Sequence, residues 1–500
     1  MESEPTQLRF GPAEVEAFAR ASGDRNPLHL DPEFAVDTAF GGPVVHGALV
    51  AMAMLGVLPD EALTRVQSVR VLFPAPVRVG EPLEVSSLSS DRGWEVRATL
   101  RGKVAVRVLA RAEPQPAREH PPAIADATAG ARPEPAAPDP ARLRPGFRIG
   151  GEYELSPGLA TLAQGYGAGA LNPALLAGLA WSSYVVGMEI PGRHSLFAGV
   201  TLSLGAQLAP SGFSVTVREH DERTGQVVLA GSVAACQATI ECFALPATRR
   251  PEPAALLPRE PPDRSRGEVL VVGCSRGFGA ALALALLARG YDVHGTYRSS
   301  PRRASALTAL AGELPAPAGR LTLTRCDAAD PAALAALAEG RERDGAPRLA
   351  GLVLNAALPP LGMGLTADAG PDLAQYVAQS VSLAAVPLGA MLGQLDEQGG
   401  FVLVCSSAAV SAPPREWPHY VAAKAALEGL GRWVAASRPT LRTVIVRLPK
   451  MDTAMTATPS GRLGAASADA VAAWTAEQLS GAELTSPLAM LEPKLEAVPA

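Results

Sequence analysis

The chain has 500 residues, a formal net charge of −5, and 48% hydrophobic but only 5% aromatic residues. That length predicts roughly two to four domains with cores of Ala, Val and Leu. The mildly acidic balance gives no footing for nucleic acid, which calls for a basic patch. The five cysteines, Cys236, Cys242, Cys274, Cys326 and Cys405, form no C-x-x-C pair. Neither a disulfide framework nor a metal site is expected, and reduced thiols in a cytoplasmic protein are the plain reading. The polar start MESEPTQLRF lacks the regions of a signal peptide. No apolar run approaches the roughly 20 residues of a membrane helix, so no membrane partner is expected.

A first block, 1–111, opens with helical spacing over Pro12 to Ser22, where Val15, Phe18 and Ala19 share a face. A polar loop leads to an apolar helix over Gly47 to Leu58. Strand-like segments follow at Gln67 to Phe73, Pro82 to Leu88, Trp94 to Leu100 and Lys103 to Arg111. This order predicts an α+β domain whose antiparallel sheet wraps a buried helix. Residues 112–146 and 246–267 are rich in Pro and Ala or in Pro and charge, and read as extended linkers. Between them, 147–245 repeats the plan, with helices over Ser156 to Gly165 and Gly178 to Met188 and strands from Ser195 to Cys242. Gly23-Asp24-Arg25-Asn26-Pro27-Leu28-His29 aligns with Gly169-Ala170-Leu171-Asn172-Pro173-Ala174-Leu175, which suggests a degenerate duplication. The last block, 268–500, alternates β-branched strands with Ala/Leu-rich helices. Strands are expected at Val269 to Val272, Asp292 to Thr296, Leu321 to Arg325, Gly351 to Leu354, Gly400 to Cys405 and Thr443 to Arg447. Such a pattern implies an α/β, doubly wound parallel sheet.

In the last block, the first strand runs into Gly273-Cys274-Ser275-Arg276-Gly277-Phe278-Gly279 and then a helix. Glycines let the backbone approach a pyrophosphate, whose charge the helix N-terminus attracts. The second strand ends in Tyr297-Arg298, so Arg298 and Arg276 could neutralise a 2′-phosphate; two solvated arginines are the plainer alternative. Tyr420 and Lys424 lie four apart on one helix face. An ammonium beside a phenol lowers its pKa and makes a usable general acid. Ser407, at the end of an apolar strand, could hydrogen-bond the same carbonyl oxygen.

Together these residues resemble the short-chain dehydrogenase/reductase family. The resemblance places Gly273, Gly277 and Gly279 in its GxxxGxG motif and Asp327 near adenine, and implies NADPH as cofactor. Asn355-Ala356-Ala357 is similar to its NNAG element, with Leu354 and Ala357 as departures. Ser407, Tyr420 and Lys424 match the catalytic trio. Pro449 to Met455 resembles the segment that closes over nicotinamide, with Thr453 in register. Where the family carries an Asn that holds a relay water, Ser382 is expected.

In the first block, Asp24 and His29 sit in a tight Gly/Asn/Pro turn and could hold a water between them and move protons. The bland alternative is a capping turn with surface Asp and His. Gly41 to Gly47 runs into the apolar helix, whose free N–H groups could stabilise an enolate oxygen. Residues 10–111 resemble the MaoC-type (R)-specific enoyl-CoA hydratases of the hotdog fold, on the run ASGDRNPLHLDPEFAVDTAFGGPVVHGAL. The resemblance implies Asp24 and His29 as catalytic pair, Gly47 as oxyanion donor and His46 as structural. Met52 and Leu55 stand where the family often has a serine. The second block then resembles a hotdog without chemistry, its acid/base pair replaced by Ala170 and Leu175, pairing with the first to complete an acyl tunnel.

The expected whole is a double hotdog followed by a Rossmann-type domain. Its expected activity is that of a 3-oxoacyl-thioester reductase joined to a 3-hydroxyacyl-thioester dehydratase. The acyl thioester would be carried on CoA or acyl carrier protein, and the reductase could form a homodimer. Hydration followed by oxidation is the alternative, and a non-catalytic docking scaffold in one module is another.

Overall fold

A computed structural model describes residues 5–113, 132–154, 156–205, 212–260, 262, 266–396, 399–458, 460–481 and 486–493. They form two compact units, Met1–Ala247 with Thr458–Ser460, and Thr248–Ala457 with Gly461–Ala500.

The first unit contributes strands β1 (Thr6–Leu8), β2 (Ser68–Leu72), β3 (Leu83–Ser90), β4 (Gly93–Leu100) and β5 (Lys103–Arg111). A second set follows, β6 (Arg148–Glu152), β7 (Ser195–Leu204), β8 (Gly212–Asp221), β9 (Gln226–Val233) and β10 (Cys236–Ala244). All ten make one antiparallel sheet in the order β1-β3-β4-β5-β2-β7-β10-β9-β8-β6. Read outward from the β2–β7 seam, where Val69 faces Leu202, the two halves have the same strand order. This is the duplication that the Gly-x-x-Asn-Pro repeat suggested.

Helices α1 (Pro12–Ser22), α2 (Pro27–Leu30), α3 (Pro32–Val36), α4 (Gly47–Leu55) and α5 (Asp60–Leu63) belong to the first half, and α6 (Pro157–Gly165) and α7 (Pro173–Tyr184) to the second. From Ala48 to Leu55 every residue of α4 is buried, as is α7 from Leu175 to Tyr184. Helices apolar all round must be wrapped on every side, and here the sheet does the wrapping. Both halves use the same cap: the Asn26 side chain accepts from Leu28 N (3.0 Å) and the Asn172 side chain from Ala174 N (2.9 Å). In the second half this cap opens the central helix directly. That helix therefore starts at Pro173, earlier than the Gly178 expected, and continues into a π-helical turn, Val185–Glu189.

The expectation of extended chain at 112–146 needs correction. Residues 114–131 lie outside the described residues, but 132–146 is docked. Ala136 is buried and its N–H donates to Met188 O (2.8 Å). Arg132 and Arg142 both reach the fully buried Glu189 carboxylate, at 2.8 and 3.1 Å, which also accepts from Tyr184 Oη (2.9 Å). A buried carboxylate needs such partners, and the segment supplies them.

The second unit is a seven-stranded parallel sheet: β11 (Glu268–Val272), β12 (Asp292–Tyr297), β13 (Leu321–Arg325), β14 (Gly351–Leu354), β15 (Phe401–Ser407), β16 (Arg442–Leu448) and β17 (Leu488–Leu491). Their order is β13-β12-β11-β14-β15-β16-β17. Connecting helices are α8 (Gly277–Ala288), α9 (Pro301–Ala311), α10 (Pro331–Arg343), α11 (Gly370–Met391), α12 (Pro418–Ser437) and α13 (Ala468–Ser480). Two apolar clusters fill the two faces of the sheet, the layering a doubly wound fold requires. β17 was not expected, since LAML carries no β-branched residue. Linker 246–267 is also shorter than expected, because Leu256 is fully buried against α8 and α13. The span Gly370–Gln394, with mean hydropathy 1.4, is by length and composition long and apolar enough to cross a membrane. Asp372, Gln375 and Gln379 interrupt its apolar run. It packs on α10, α12 and β14 as a flanking helix of the sheet.

Candidate active sites

In the first unit, Asp24 lies just after α1, in the Gly23–Asn26 turn. Its side chain is buried, Oδ2 accepting from Ser183 Oγ (2.6 Å) and Oδ1 from Asn26 N (3.1 Å). Burial raises the Asp24 pKa; His29, Ser183 and Asn26 N oppose the rise. His29 Nδ1 lies 2.6 Å from Val44 O. A carbonyl only accepts, so Nδ1 carries the proton and Nε2 keeps a lone pair. The His46 ring stacks on His29, centroids 3.7 Å apart, and its Nε2 donates to Asp24 O (3.1 Å). Burial, then the charge of His29, holds His46 well below the ordinary histidine pKa. His46 makes no side-chain cap to α4; it sits under the pair as a neutral plate.

Side-chain ligand atoms of Asp24, His29 and His46 lie within 4.8 Å of one another. One nitrogen of each ring is committed to a carbonyl. Gly47 opens α4, so its N–H belongs to the orphan donors of a helix start. A Cβ at Gly47 would stand 2.8 Å from the Phe73 ring. Asp24, His29, Gly47, Val50, Phe73 and Phe197 line one cleft of about 760 Å³, its open mouth included. Phe73 and Phe197 meet across the seam, ring centroids 4.9 Å apart.

Met52 and Leu55 are buried in the core. The serine comes instead from the other half, as Ser183 on α7. Gly187 in the π-turn passes so close that a Cβ there would lie 2.2 Å from Asp24 Oδ1. Its carbonyl, at 2.9 Å, and that of Gly192, at 3.2 Å, both accept from Asn26 Nδ2. The sequence reading missed Ser183 and Gly187; nothing local marks them, because their function lies in a contact across the seam. Leu175 lies in the buried core and Ala170, partly buried, packs against it.

In the second unit, Gly273 adopts φ +81°, and a Cβ on it would stand 2.9 Å from Ala356 Cα. A Cβ at Gly279 would meet Gly273 O at 2.2 Å. Asn355 Nδ2 ties down that same carbonyl at 2.6 Å. These glycines keep open a cradle in front of the α8 N-terminus, where a pyrophosphate fits. Ser275 lies in the turn and Arg276 precedes α8 as its N-cap. The Phe278 side chain is buried in the core, which leaves its backbone for the cofactor contact expected of it. Arg298 is exposed just beyond β12. The Asp327 carboxylate accepts from Ala329 N (3.0 Å).

Ser407 ends β15, and its Oγ accepts from Ala409 N (3.2 Å). On α12, Lys424 is buried and its Nζ donates to Cys405 O (2.8 Å) while standing 5.7 Å from the Tyr420 ring centre. The helix face thus carries Tyr420 and Lys424 to the end of β15, the strand that Ser407 closes. Pro449 follows β16, and Thr453 lies against Gly277, its methyl 3.6 Å from where a Cβ would be. Ser382, where the relay residue is expected, is half-buried on α11. Its Oγ donates to Ala378 O of its own helix (2.9 Å), and Ser380 is the buried serine of that turn. Glu428, not singled out in the sequence, is buried and accepts from Ser406 Oγ (2.7 Å) and from Arg447 Nε and Nη2 (2.8 and 2.9 Å). The Arg447 guanidinium holds its carboxyl below the usual range. This fork locks the strand end that carries Ser407.

Residues 2–111 match the family of the MaoC like domain, and residues 268–461 that of the short chain dehydrogenase. An (R)-specific enoyl-CoA hydratase from Aeromonas caviae is 45% identical over 93 residues, 17% of this chain and 68% of that protein. A 3-hydroxybutyryl-CoA dehydratase from Methylorubrum extorquens is 42% identical over 77 residues, 15% of this chain and 48% of its own length. A short chain dehydrogenase from Burkholderia cenocepacia, solved in complex with NADP, is 29% identical with TM-score 0.39, over 46% of this chain and 96% of its own. The chain belongs to the MaoC-like hydratase/dehydratase family through its amino-terminal domain, here fused to a short-chain dehydrogenase/reductase domain.

Proposed function

We propose that the chain is a bifunctional enzyme that reduces a 3-oxoacyl thioester with NADPH and removes water from the resulting 3-hydroxyacyl thioester. The product is a trans-2-enoyl thioester, as fatty-acid or polyketide-type synthesis requires. The carrying observation is a buried Asp24 beside a half-buried His29 and the Gly47 N–H in an apolar cleft, within one chain with Ser407, Tyr420 and Lys424.

In the hotdog, the Gly47 N–H would hold the thioester oxygen as negative charge develops on it. One member of the Asp24–His29 pair takes the C2 proton while the other gives a proton to the departing C3 hydroxyl. The water released then lies between them, and hydration is the reverse. In the reductase, the Gly273–Gly279 cradle, Asn355, Thr453 and backbone N–H groups at the α8 start would hold NADPH. Arg276 and Arg298 would meet its 2′-phosphate. Bound NADPH supplies the hydride. Ser407 Oγ orients the substrate carbonyl, and Tyr420 delivers the proton to its oxygen. Lys424 stabilises the phenolate left behind. The relatives named for CoA thioesters favour CoA as carrier; acyl carrier protein is the other candidate. All five cysteines are buried free thiols, in keeping with a cytoplasmic setting.

Mass spectrometry of products from a 3-oxoacyl thioester with NADPH, offered as CoA and as carrier-protein conjugates, tests the reading. An enoyl product supports both steps in order. Arrest at the 3-hydroxyacyl stage leaves a working reductase and points to a binding role for the hotdog pair. No reduction on either carrier overturns the proposal. The opposite direction, hydration followed by oxidation, is favoured by the printed name of the Aeromonas relative, and a preference for NAD over NADP would select it.

A further inference from the structure

The segment entering the reductase unit has a contact that neither half of the proposed chemistry uses. Leu256 is fully buried between α8 and α13. Arg289, at the end of α8 and itself buried, donates Nη1 to Leu256 O (3.0 Å) and Ala285 O (2.9 Å) and Nη2 to Ala473 O (3.2 Å). Four residues upstream of Leu256, the Glu252 N–H donates to Asp469 Oδ2 on α13 (3.1 Å). Three further back, Arg249 Nε stands 3.4 Å from Asp452 Oδ2, while Asp452 Oδ1 faces Arg462 Nε at 2.8 Å. Asp452 adjoins Thr453 in the loop expected to close over nicotinamide. Arg249, Arg250, Asp452 and Gly277, the first residue of α8, line a single open cleft of about 600 Å³.

This arrangement poses an electrostatic problem and answers it. A carboxylate beside the α8 N-terminus stands where a dinucleotide pyrophosphate is to be drawn in, and like charges repel. Asp452 is almost buried, 9% exposed on its side chain, so solvent screens it poorly. Arg462 neutralises it from its own loop, and Arg249 from outside the family-matched segment. Leu256 and Arg289 anchor the strand of chain that carries Arg249.

We propose that residues 249–257 are a strap belonging to the reductase, and that Arg249 is a positioning residue for NADPH binding. It compensates Asp452 and holds the loop of Thr453 against the α8 N-terminus. The proposal rests on the NADPH reading of the cradle. Arg249 is 69% exposed on its side chain, so its ion pair with Asp452 is of the modest kind.

Titration of the full-length protein with NADPH, followed by nicotinamide fluorescence, is the test, with steady-state KM and kcat beside it. Arg249→Ala is expected to raise the NADPH Kd about threefold, the range of exposed pairs. Arg249→Glu, which doubles the negative charge, should raise it about tenfold. Arg249→Lys should restore wild-type binding, and kcat at saturating NADPH should stay within about twofold. Added salt should shrink the difference between Arg249→Glu and wild type. Leu256→Asp, which frees the strap, should copy Arg249→Ala in Kd. A wild-type Kd in Arg249→Glu would overturn the proposal. So would a loss of kcat in Arg249→Ala that Lys fails to rescue. Absence of NADPH binding in the unaltered protein would sink the cofactor reading instead, which keeps the two failures apart.

Discussion

Asp24 is a carboxyl whose ionisation is contested. Burial favours its neutral form, and three neighbours favour the anion. Ser183 Oγ is the most readily removed of these. Ser183→Ala deletes a donor to the carboxylate, so the Asp24 pKa must rise further. If the ionised form is the working one, the acidic limb of the dehydratase pH–rate profile moves to higher pH, with the alkaline plateau little changed; a profile that stays in place would show that Asp24 acts protonated. Asp24→Asn should lower dehydratase and hydratase kcat by about 10² to 10⁴, the span of positioned acid–base groups, while leaving reduction untouched. Tyr420→Phe should do the converse. Separate assays of crotonyl-CoA hydration and of NADPH consumption with a 3-oxoacyl thioester decide both. A loss in both assays from either change would mean the two units are not independent.

At the level of elements, β2 to β5, the strand region from Ser195 to Cys242, both central helices and six of the seven parallel strands were legible in the sequence, because periodicity and β-branching are local properties; the short edge strands β1 and β6 were not. Asp24 with His29, in one turn, and Tyr420 with Lys424, on one helix face, could be singled out from local spacing, while the place of Gly47 beside the first pair came from the family resemblance. Contacts between elements were not. Glu428 reads as an ordinary helix residue until β15 and β16 are laid beside it. Likewise, Arg132 and Arg142 read as linker residues until Glu189 is found buried beneath them. Proline-rich composition does suppress regular structure, but it does not prevent a few arginines and one leucine from docking. Glu428→Ala leaves Arg447 and Ser406 without their shared acceptor. It should cost about 2 kcal/mol in the unfolding of the reductase unit and lower reductase kcat more than it raises the substrate KM, because Ser407 loses its anchored neighbour. Urea titration followed by Trp fluorescence, with kinetics at saturating NADPH, checks both.

At the scale of the whole molecule, the two halves of the first unit satisfy each other through one continuous sheet. The second unit leaves an outer face of α11 and α12 uncovered. Trp433 is 57% exposed there, with Ala422, Ala425 and Gly429 exposed on the same helix. Small residues let helices approach closely, and a large exposed indole is costly to leave in water. A second copy of the chain docking on this face would cover it. Trp433→Glu should then halve the mass seen by light scattering at micromolar concentration, with hydratase activity retained; an unchanged mass would place any self-association elsewhere.

The shared sheet also governs how this protein can change over generations. Ala170 and Leu175 stand in the second half where Asp24 and His29 stand in the first, yet that half stays tied to the site, since Ser183 touches the carboxylate of Asp24 and Gly187 leaves room for it. Substitutions tolerated at 183 and 187 should therefore depend on which residue occupies position 24.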